Sequence, residues 1–445
     1  MDAARGETVP LVDDSVTVVS RAREVPDVSY RAFLETTDGP RFHWADRDGR
    51  EISSGGACAR LTGSGPDRFD DLRRGADALF SGTDVDAPAG ARPRLFGGLS
   101  FFPDHEPAGP WTGFPAAEFV LPRVQLTRAH GTTWLTVNAC AEGIDPAAVE
   151  ANLDDVAETV ADLPTMRPTG DPPAITGRDR VVSRDEYAES VERATDRIRA
   201  GDFRKVVLAT ALAADLAKPV DATDLLERLR RTYPECYRFL VQPNDGRAFF
   251  GAPPERLVRL DGRTARTEAL AGSVGRGETP SEDDALASSL LESEKLQHEQ
   301  GLVLDAIREQ LATFGNVDRG EQGVKKLATI QHLHTPVRAE LDRDEHVLAL
   351  VDALHPTPAV GGMPPAAAAD AIREMEPFHR GWYASPVGWF DADGDGEFAV
   401  GIRSGVAAAD RVTLFAGNGI VADSDPDAEW DEVQLKFRPI LDELQ

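Results

Sequence analysis

At 445 residues the chain has room for about three domains, and a hydrophobic content of 41% is enough for a large buried core. Its 76 acidic residues outweigh 48 basic ones, a formal charge of -28 that argues against nucleic acid or an anionic membrane as partner. The acidic residues are spread between periodic apolar segments, so they read as a hydrated surface and not as disorder; with only six lysines in the chain, that surface resembles proteins of a salt-rich cytoplasm.

Cys58, Cys140 and Cys236 are far apart and show no paired spacing, so neither a disulfide framework nor a zinc site is expected. The start of the chain lacks a basic segment leading into an apolar run, and no stretch reaches ~18 apolar residues, which predicts a soluble, cytoplasmic protein with no membrane association.

Residues 28–163 read mainly as short strands joined by turns, with weaker helical signals. In 42–52, Asp48-Gly49 supplies hairpin chemistry, and 134–140 alternates as a half-buried strand does. Residues 163–178 are rich in proline and glycine without apolar period, which makes them the expected linker between an N-terminal region, 1–165, and a C-terminal region, 178–445.

Beyond the linker, Ser183 and Glu186 form a capping box before the helical spacing of Tyr187, Val191, Ala194 and Ile198, and Gly201 offers the C-terminal cap. A strand over 206–211 follows, with Lys205 at its entrance. Lys205 is either a solvated strand-end charge or a functional group, and the scarcity of lysine favours function. Strands at 249–252 and 257–260 flank Pro253, Pro254 and Glu255, which puts Glu255 at a tight junction, as an exposed turn carboxylate or as a chemical group. In 269–273, Gly272 allows close approach of a ligand or a simple bend.

One long helix is expected over 283–311, with Leu291, Lys295, Glu299, Leu302, Val303 and Ala306 near one face. Glu299 is thereby drawn inward, to a metal, a counter-ion or Lys295 one turn earlier. His332 and His334 share a strand face without a third ligand at metal-site spacing, so satisfied or substrate-facing histidines are the expectation. The run DADGDGEF from Asp391 imitates a calcium loop but has Ile402 where a bidentate glutamate is required, and it reads as a turn. A strand over 398–404 would set Arg403 beside Ala399 and Gly401, with room for a carboxylate ligand. Gly417 and Gly419 either admit an anion or bend a strand. Asp425, Pro426, Asp427 and Glu429 start a last helix whose Glu429, Glu432 and Lys436 share one face.

Together these strings resemble the chorismate-utilising enzymes, and among them those that form isochorismate. KVVLA, PPERL, TEALAGS, SEKxxHE, QHLHT, LHPTPAVGG, EPFHRGWYASPVGW, GDGEFAVGIRS, AGNGIV and EWDE occur in order from about residue 183 to the end, and RLFGGLSFF extends the match to the N-terminal region. The resemblance implies an α+β fold, with two large antiparallel sheets packed as a sandwich, helices outside and the N-terminal region adding strands. It implies chorismate as substrate and Mg2+ as cofactor, with water attacking ring carbon C2 while the C4 hydroxyl leaves. Carried over by motif, Lys205 is the general base and Glu255 the general acid. Glu299 and Glu432 match metal ligands, and Gly272, Ser273, His332, Ala359, Arg403, Gly417, Gly419 and Lys436 match substrate-contacting positions.

Three positions depart from the family pattern: Leu296 and His379 stand where aspartate is usual, and Asn418 where alanine is. Anthranilate-forming relatives usually carry glutamine at the place of Lys205, and amino-transferring or pyruvate-eliminating relatives tend to have threonine at that of Ala359. Both differences imply isochorismate formation, with salicylate formation, which shares the lysine, as the alternative. From another class, the readings are a catalytically silent binding protein, opposed by the intact Lys205, Glu255, Glu299 and Glu432, and a calcium-binding structural module, opposed by Ile402.

Overall fold

The computed structural model describes residues 9–10, 16–328 and 330–445. Among them, 24 strands form two sheets of 11 and 13 strands, and ten α-helices accompany them. Almost every strand pair is antiparallel; Val9–Pro10 with Ala59–Gly63 and Thr17–Glu24 with Asp84–Asp86 are parallel.

Both sheets run through the expected boundary. In the smaller one the Arg94–Leu99 strand pairs with Pro386–Asp391; in the larger, Arg41–Ala45 pairs with Arg238–Gln242. The sheets meet over one apolar core, in which Phe42 of the larger sheet stacks on Phe96 of the smaller with ring centroids 6.0 Å apart. Trp111, Phe114, Phe249 and Trp382 continue that core as edge-to-face rings, an arrangement aromatic quadrupoles favour. The predicted hairpin is present: Arg41–Ala45 and Glu51–Gly55 pair across a turn in which Gly49 takes φ +91°. Ser183 and Glu186 form the capping box that starts the Arg184–Ala200 helix, and Gly201 closes it in the left-handed conformation.

Four expectations are corrected. Cys58 and Cys140 form a disulfide despite 82 residues of separation, with Cα atoms 5.5 Å apart. Cys58 directly precedes a strand of the smaller sheet and Cys140 lies on Thr132–Ala141 of the larger, so the bond staples one sheet to the other; spacing along the chain carries no trace of that juxtaposition. The strand-like N-terminal region also holds three helices, Tyr30–Thr36, Arg68–Phe80 and Pro146–Ala161. Phe69, Leu72, Ala76 and Leu79 bury one side of the second, a helical period interrupted in the sequence by charged neighbours.

The long helix is two, Pro280–Glu292 and Glu294–Leu311, broken at Ser293, which caps the second by accepting from the Leu296 N–H. The break rotates the buried face of the second helix to Gln300, Val303, Leu304, Ile307 and Leu311, leaves Leu291 exposed, and puts Glu299 at the margin of that face. Finally, the strand expected over 398–404 is two strands in different sheets, Gly396–Val400 and Ser404–Ala408. The chain crosses between sheets at 401–403, where a Cβ on Gly401 would lie 2.9 Å from the Trp382 carbonyl and Arg403 takes φ +49°. The acidic run before it is the expected turn, between Pro386–Asp391 and Gly396–Val400. No helix among the described residues is long and apolar enough to cross a membrane.

Candidate active site

That crossing opens on a cavity of about 190 Å³ between the sheets and two helices, Glu294–Leu311 and Pro426–Leu441. Every residue to which the family resemblance gives a role lines it: Lys205, Glu255, Gly272, Ser273, Glu299, His332, Ala359, Arg403, Gly417, Gly419, Glu432 and Lys436.

Lys205 begins the Lys205–Leu216 strand and is 2% exposed, so it is no solvated strand end. Its ammonium donates to Glu299 Oε1 at 2.7 Å. Glu299 thus finds its counter-ion on the sheet, and Lys295 instead approaches Asp423 at 3.9 Å. A Cβ on Gly419 would lie 2.6 Å from Lys205 Cε, so this glycine makes room for the lysine. At Gly417 the obstacle is the neighbouring strand, with Leu208 O at 2.8 Å. Strand packing and a buried side chain, more than an approaching anion, account for both glycines.

Glu255 is 6% exposed. Burial, reinforced by the nearby Glu268 charge and opposed by Lys325 and Lys205, pushes its carboxyl up to about 8. It therefore carries its proton at neutral pH.

Across the cavity, Gly272 sits at a bulge with φ +62°, a left-handed conformation that glycine adopts without strain. Its carbonyl faces His332 Nδ1 at 3.2 Å. A carbonyl can only accept, so Nδ1 donates, and the buried Nε2, which has no partner among the described residues, is left as an acceptor. Burial and the Arg403 and Lys436 charges push the imidazole down to about 3, which keeps it neutral. His334 is separately engaged, with Nε2 2.9 Å from Glu268 Oε2.

On the last helix, Glu432 Oε1 accepts from Ser273 Oγ at 2.8 Å and pairs with Lys436 at 2.9 Å. Burial opposes its ionisation, but Lys436 and Ser273 hold the carboxyl below its ordinary value. Lys436 also donates to the Gly417 carbonyl at 3.0 Å and to Asn418 Oδ1 at 2.5 Å, while Asn418 Nδ2 donates to the Glu429 carbonyl. Asn418 is thus a tether for Lys436. Arg403 donates to the Lys436 carbonyl at 3.3 Å and has no ion pair among the described residues, so its guanidinium is available to an anion in the cavity.

No group of three or more His, Cys, Asp or Glu side chains is arranged to hold a metal among the described residues. Glu299 and Glu432 nonetheless fit a magnesium ion, which takes hard oxygen donors from one or two carboxylates and completes its shell with water and substrate. Each spends only Oε1 on protein hydrogen bonds, which leaves Oε2 to a cation.

The profile of the chorismate binding enzyme family matches residues 11–445. The chain belongs to the chorismate-binding enzymes. It is 36% identical over 354 residues to isochorismate synthase MenF of Bacillus subtilis, covering 79% of this chain and 74% of that protein. It is likewise 36% identical over 397 residues to the salicylate biosynthesis isochorismate synthase of Pseudomonas aeruginosa, covering 87% and 82%. The solved structure of the menaquinone-specific isochorismate synthase MenF of Escherichia coli superposes with a TM-score of 0.82 at 28% identity, over 97% of this chain and 95% of that one.

Several side chains of this chorismate-binding enzyme's site carry no role from the sequence. Lys295, Leu296, Tyr383 and Glu429 also line the cavity. Burial and Glu432 push the Glu429 carboxyl up. Leu296 brings an apolar group against Gly272, 3.3 Å from where a Cβ would sit. His379 is exposed, and its carbonyl accepts from Trp111 Nε1 at 3.1 Å. The EPFHR string owes its place to Glu376 and Arg380, a buried pair beneath the cavity. Glu376 accepts from the Ala209 N–H at 2.7 Å, and Arg380 donates to the carbonyls of Val207 at 2.7 Å and Val360 at 2.9 Å. They tie the lysine strand to the segment carrying Ala359; the signal available was two charges one helical turn apart amid apolar residues.

Proposed function

We propose that this protein is an isochorismate synthase, converting chorismate to isochorismate. The observation that carries the reading is the pairing, on one cavity, of a buried lysine with a buried carboxyl that keeps its proton at neutral pH. In its neutral amine form, Lys205 takes a proton from a water molecule whose oxygen bonds to ring carbon C2. The ring double bonds shift, the C4–oxygen bond breaks, and Glu255 gives its proton to the departing hydroxyl, which leaves as water. Arg403 grips a substrate carboxylate, and neutral His332 accepts a hydrogen bond through Nε2. Glu299 and Glu432 would hold Mg2+, which supplies positive charge to bind and orient the ring carboxylate of a dianionic substrate.

Ala359 presents only a methyl group to the cavity, which supports release of isochorismate over pyruvate elimination to salicylate. We assign the product to menaquinone synthesis, the route named for the Escherichia coli relative. The location is the cytoplasm and the partner a small molecule, in keeping with the charge of -28.

Incubation with chorismate and Mg2+ followed by chromatography tests the reaction. Isochorismate alone is expected, chelation should stop its formation, and Mg2+ should restore it. Salicylate with pyruvate would overturn the assignment, and full turnover in chelator would overturn the metal site.

A further inference from the structure

Beside the cavity lies a cluster of charges to which the reaction as described gives no role. Glu268, on the Thr264–Gly275 strand, is 6% exposed. Its Oε1 accepts from the Arg256 N–H at 2.9 Å and forms ion pairs with Arg47 Nη2 at 2.9 Å and Lys325 Nζ at 3.4 Å; its Oε2 accepts from Arg47 Nη1 at 3.3 Å and faces His334 Nε2 at 2.9 Å. Burial opposes its charge, yet His334, Lys325, Arg47 and the Arg256 N–H hold the carboxyl far below its ordinary value.

The same cations reach the other side of Glu255. Lys325 Nζ donates to the Pro254 carbonyl at 2.7 Å, and Arg47 Nη1 to the same oxygen at 3.2 Å. The peptide group before Glu255 is therefore held by Lys325 and Arg47, and the one after it by Glu268. A carboxyl that must meet a leaving hydroxyl at hydrogen-bond distance needs such a fixed base, because a displacement of about 1 Å can cost ~100-fold in rate.

We propose that Glu268 is a positioning residue for Glu255: with Lys325 and Arg47 it clamps the backbone on both sides of that residue and sets a carboxylate beside it. The proposal rests on reading Glu255 as the general acid. The charged groups bearing on Glu255 are Glu268 from one neighbouring strand, Lys325 from the Gly323–Lys326 strand and Lys205 across the cavity. Glu268 favours the protonated form; the two lysines oppose it. Substitution at 268 and at 325 should therefore act in opposite directions.

The test is the pH dependence of kcat/KM for chorismate, whose alkaline limb reports loss of the proton from the acid. In Glu268→Gln the amide oxygen can still accept from the Arg256 N–H, but the charge is gone and the cations face Glu255 alone. The limb should move down by about one pH unit or more, with KM little changed below the limb. Lys325→Met removes an opposing charge, and its limb should move up. Opposite displacements support the assignment, since loss of fold cannot produce them. Reduced activity with an unmoved limb in both variants would overturn it, leaving Glu268 as scaffold. Should Glu268→Gln fail to fold, Lys325→Met decides: an upward shift supports the proposal and an unmoved limb ends it. Glu255→Gln separates this from the underlying reading. If that variant keeps wild-type kcat and limb, the general acid is elsewhere and both fall together.

Discussion

Glu255 and Lys205 show how ordinary side chains become unequal partners. Both are nearly excluded from solvent, yet Lys205 meets a carboxylate while the Glu255 carboxyl has no ion pair among the described residues and the like charge of Glu268 nearby. Removing either proton-transfer group should lower kcat by roughly 10²- to 10⁴-fold while chorismate still binds; steady-state rates of Lys205→Ala and Glu255→Gln check this, and a near-normal kcat would locate the chemistry elsewhere. Stability should respond to pH as well. The folded-state value for Glu255 lies above the unfolded one, so its contribution is intact below the unfolded value and is lost as pH rises through about 8. The melting temperature of Glu255→Gln relative to wild type should accordingly climb between about pH 4.5 and 8 and level off above that. Ala359 is half-buried on the cavity wall. Ala359→Thr would place a hydroxyl and a branch against the substrate, and is expected to add salicylate and pyruvate to the products with little change in melting temperature. A variant that still yields only isochorismate but loses ~1 to 3 kcal/mol of stability would mark Ala359 as packing.

Two cross-connections decide how the elements hold the site. Arg380 and Glu376 are about 1% and 3% exposed at their side chains, and their hydrogen bonds end on the lysine strand and on the Ala359 segment. Arg380→Met leaves Glu376 as a buried, unpaired charge, for which a loss of about 3–5 kcal/mol is expected in urea denaturation. A loss under 1 kcal/mol would show that water reaches the pair. The Cys58–Cys140 bond joins the sheets and closes a separation of 82 residues. By restricting the unfolded chain it should add about 2–4 kcal/mol. Cys58→Ser should lose that increment in oxidising buffer and match the wild type in reductant; identical melting curves in both buffers would mean that the cross-link does not matter to stability.

Considered whole, the molecule divides its labour unevenly. Residues 1–165 contribute strands to both sheets, and residues 178–445 carry the cavity, yet the seams between them are sheet hydrogen bonds and apolar contacts such as Trp111 on Phe249 and Phe114 on Trp382. A fragment of 178–445 would expose the edges of Arg238–Gln242 and Pro386–Asp391 with apolar faces beside them. Expressed alone it should aggregate, and co-expression with 1–165 should recover soluble protein. A monodisperse, active fragment would instead show that the C-terminal region folds independently.

Much of the site was legible in the sequence because its parts obey local rules. Ser183 and Asp425 announce helix starts by capping chemistry, and Lys205 stands out because three of the chain's six lysines line the cavity while arginine serves the surface. The motif strings mark both Glu299 and Glu432, and the fold brings both to the same cavity. Tertiary structure alone decided which groups touch. Whether Glu299 meets Lys295 or Lys205 depends on the Ser293 break that turns the helix, and whether Arg403 lies in a strand depends on the chain changing sheets at Gly401. The Cys58–Cys140 bond and the charges around Glu268 join residues tens to hundreds of positions apart. Periodicity and capping act within a few residues, whereas burial, ion pairing and proton affinity depend on distances through space that only the folded chain sets.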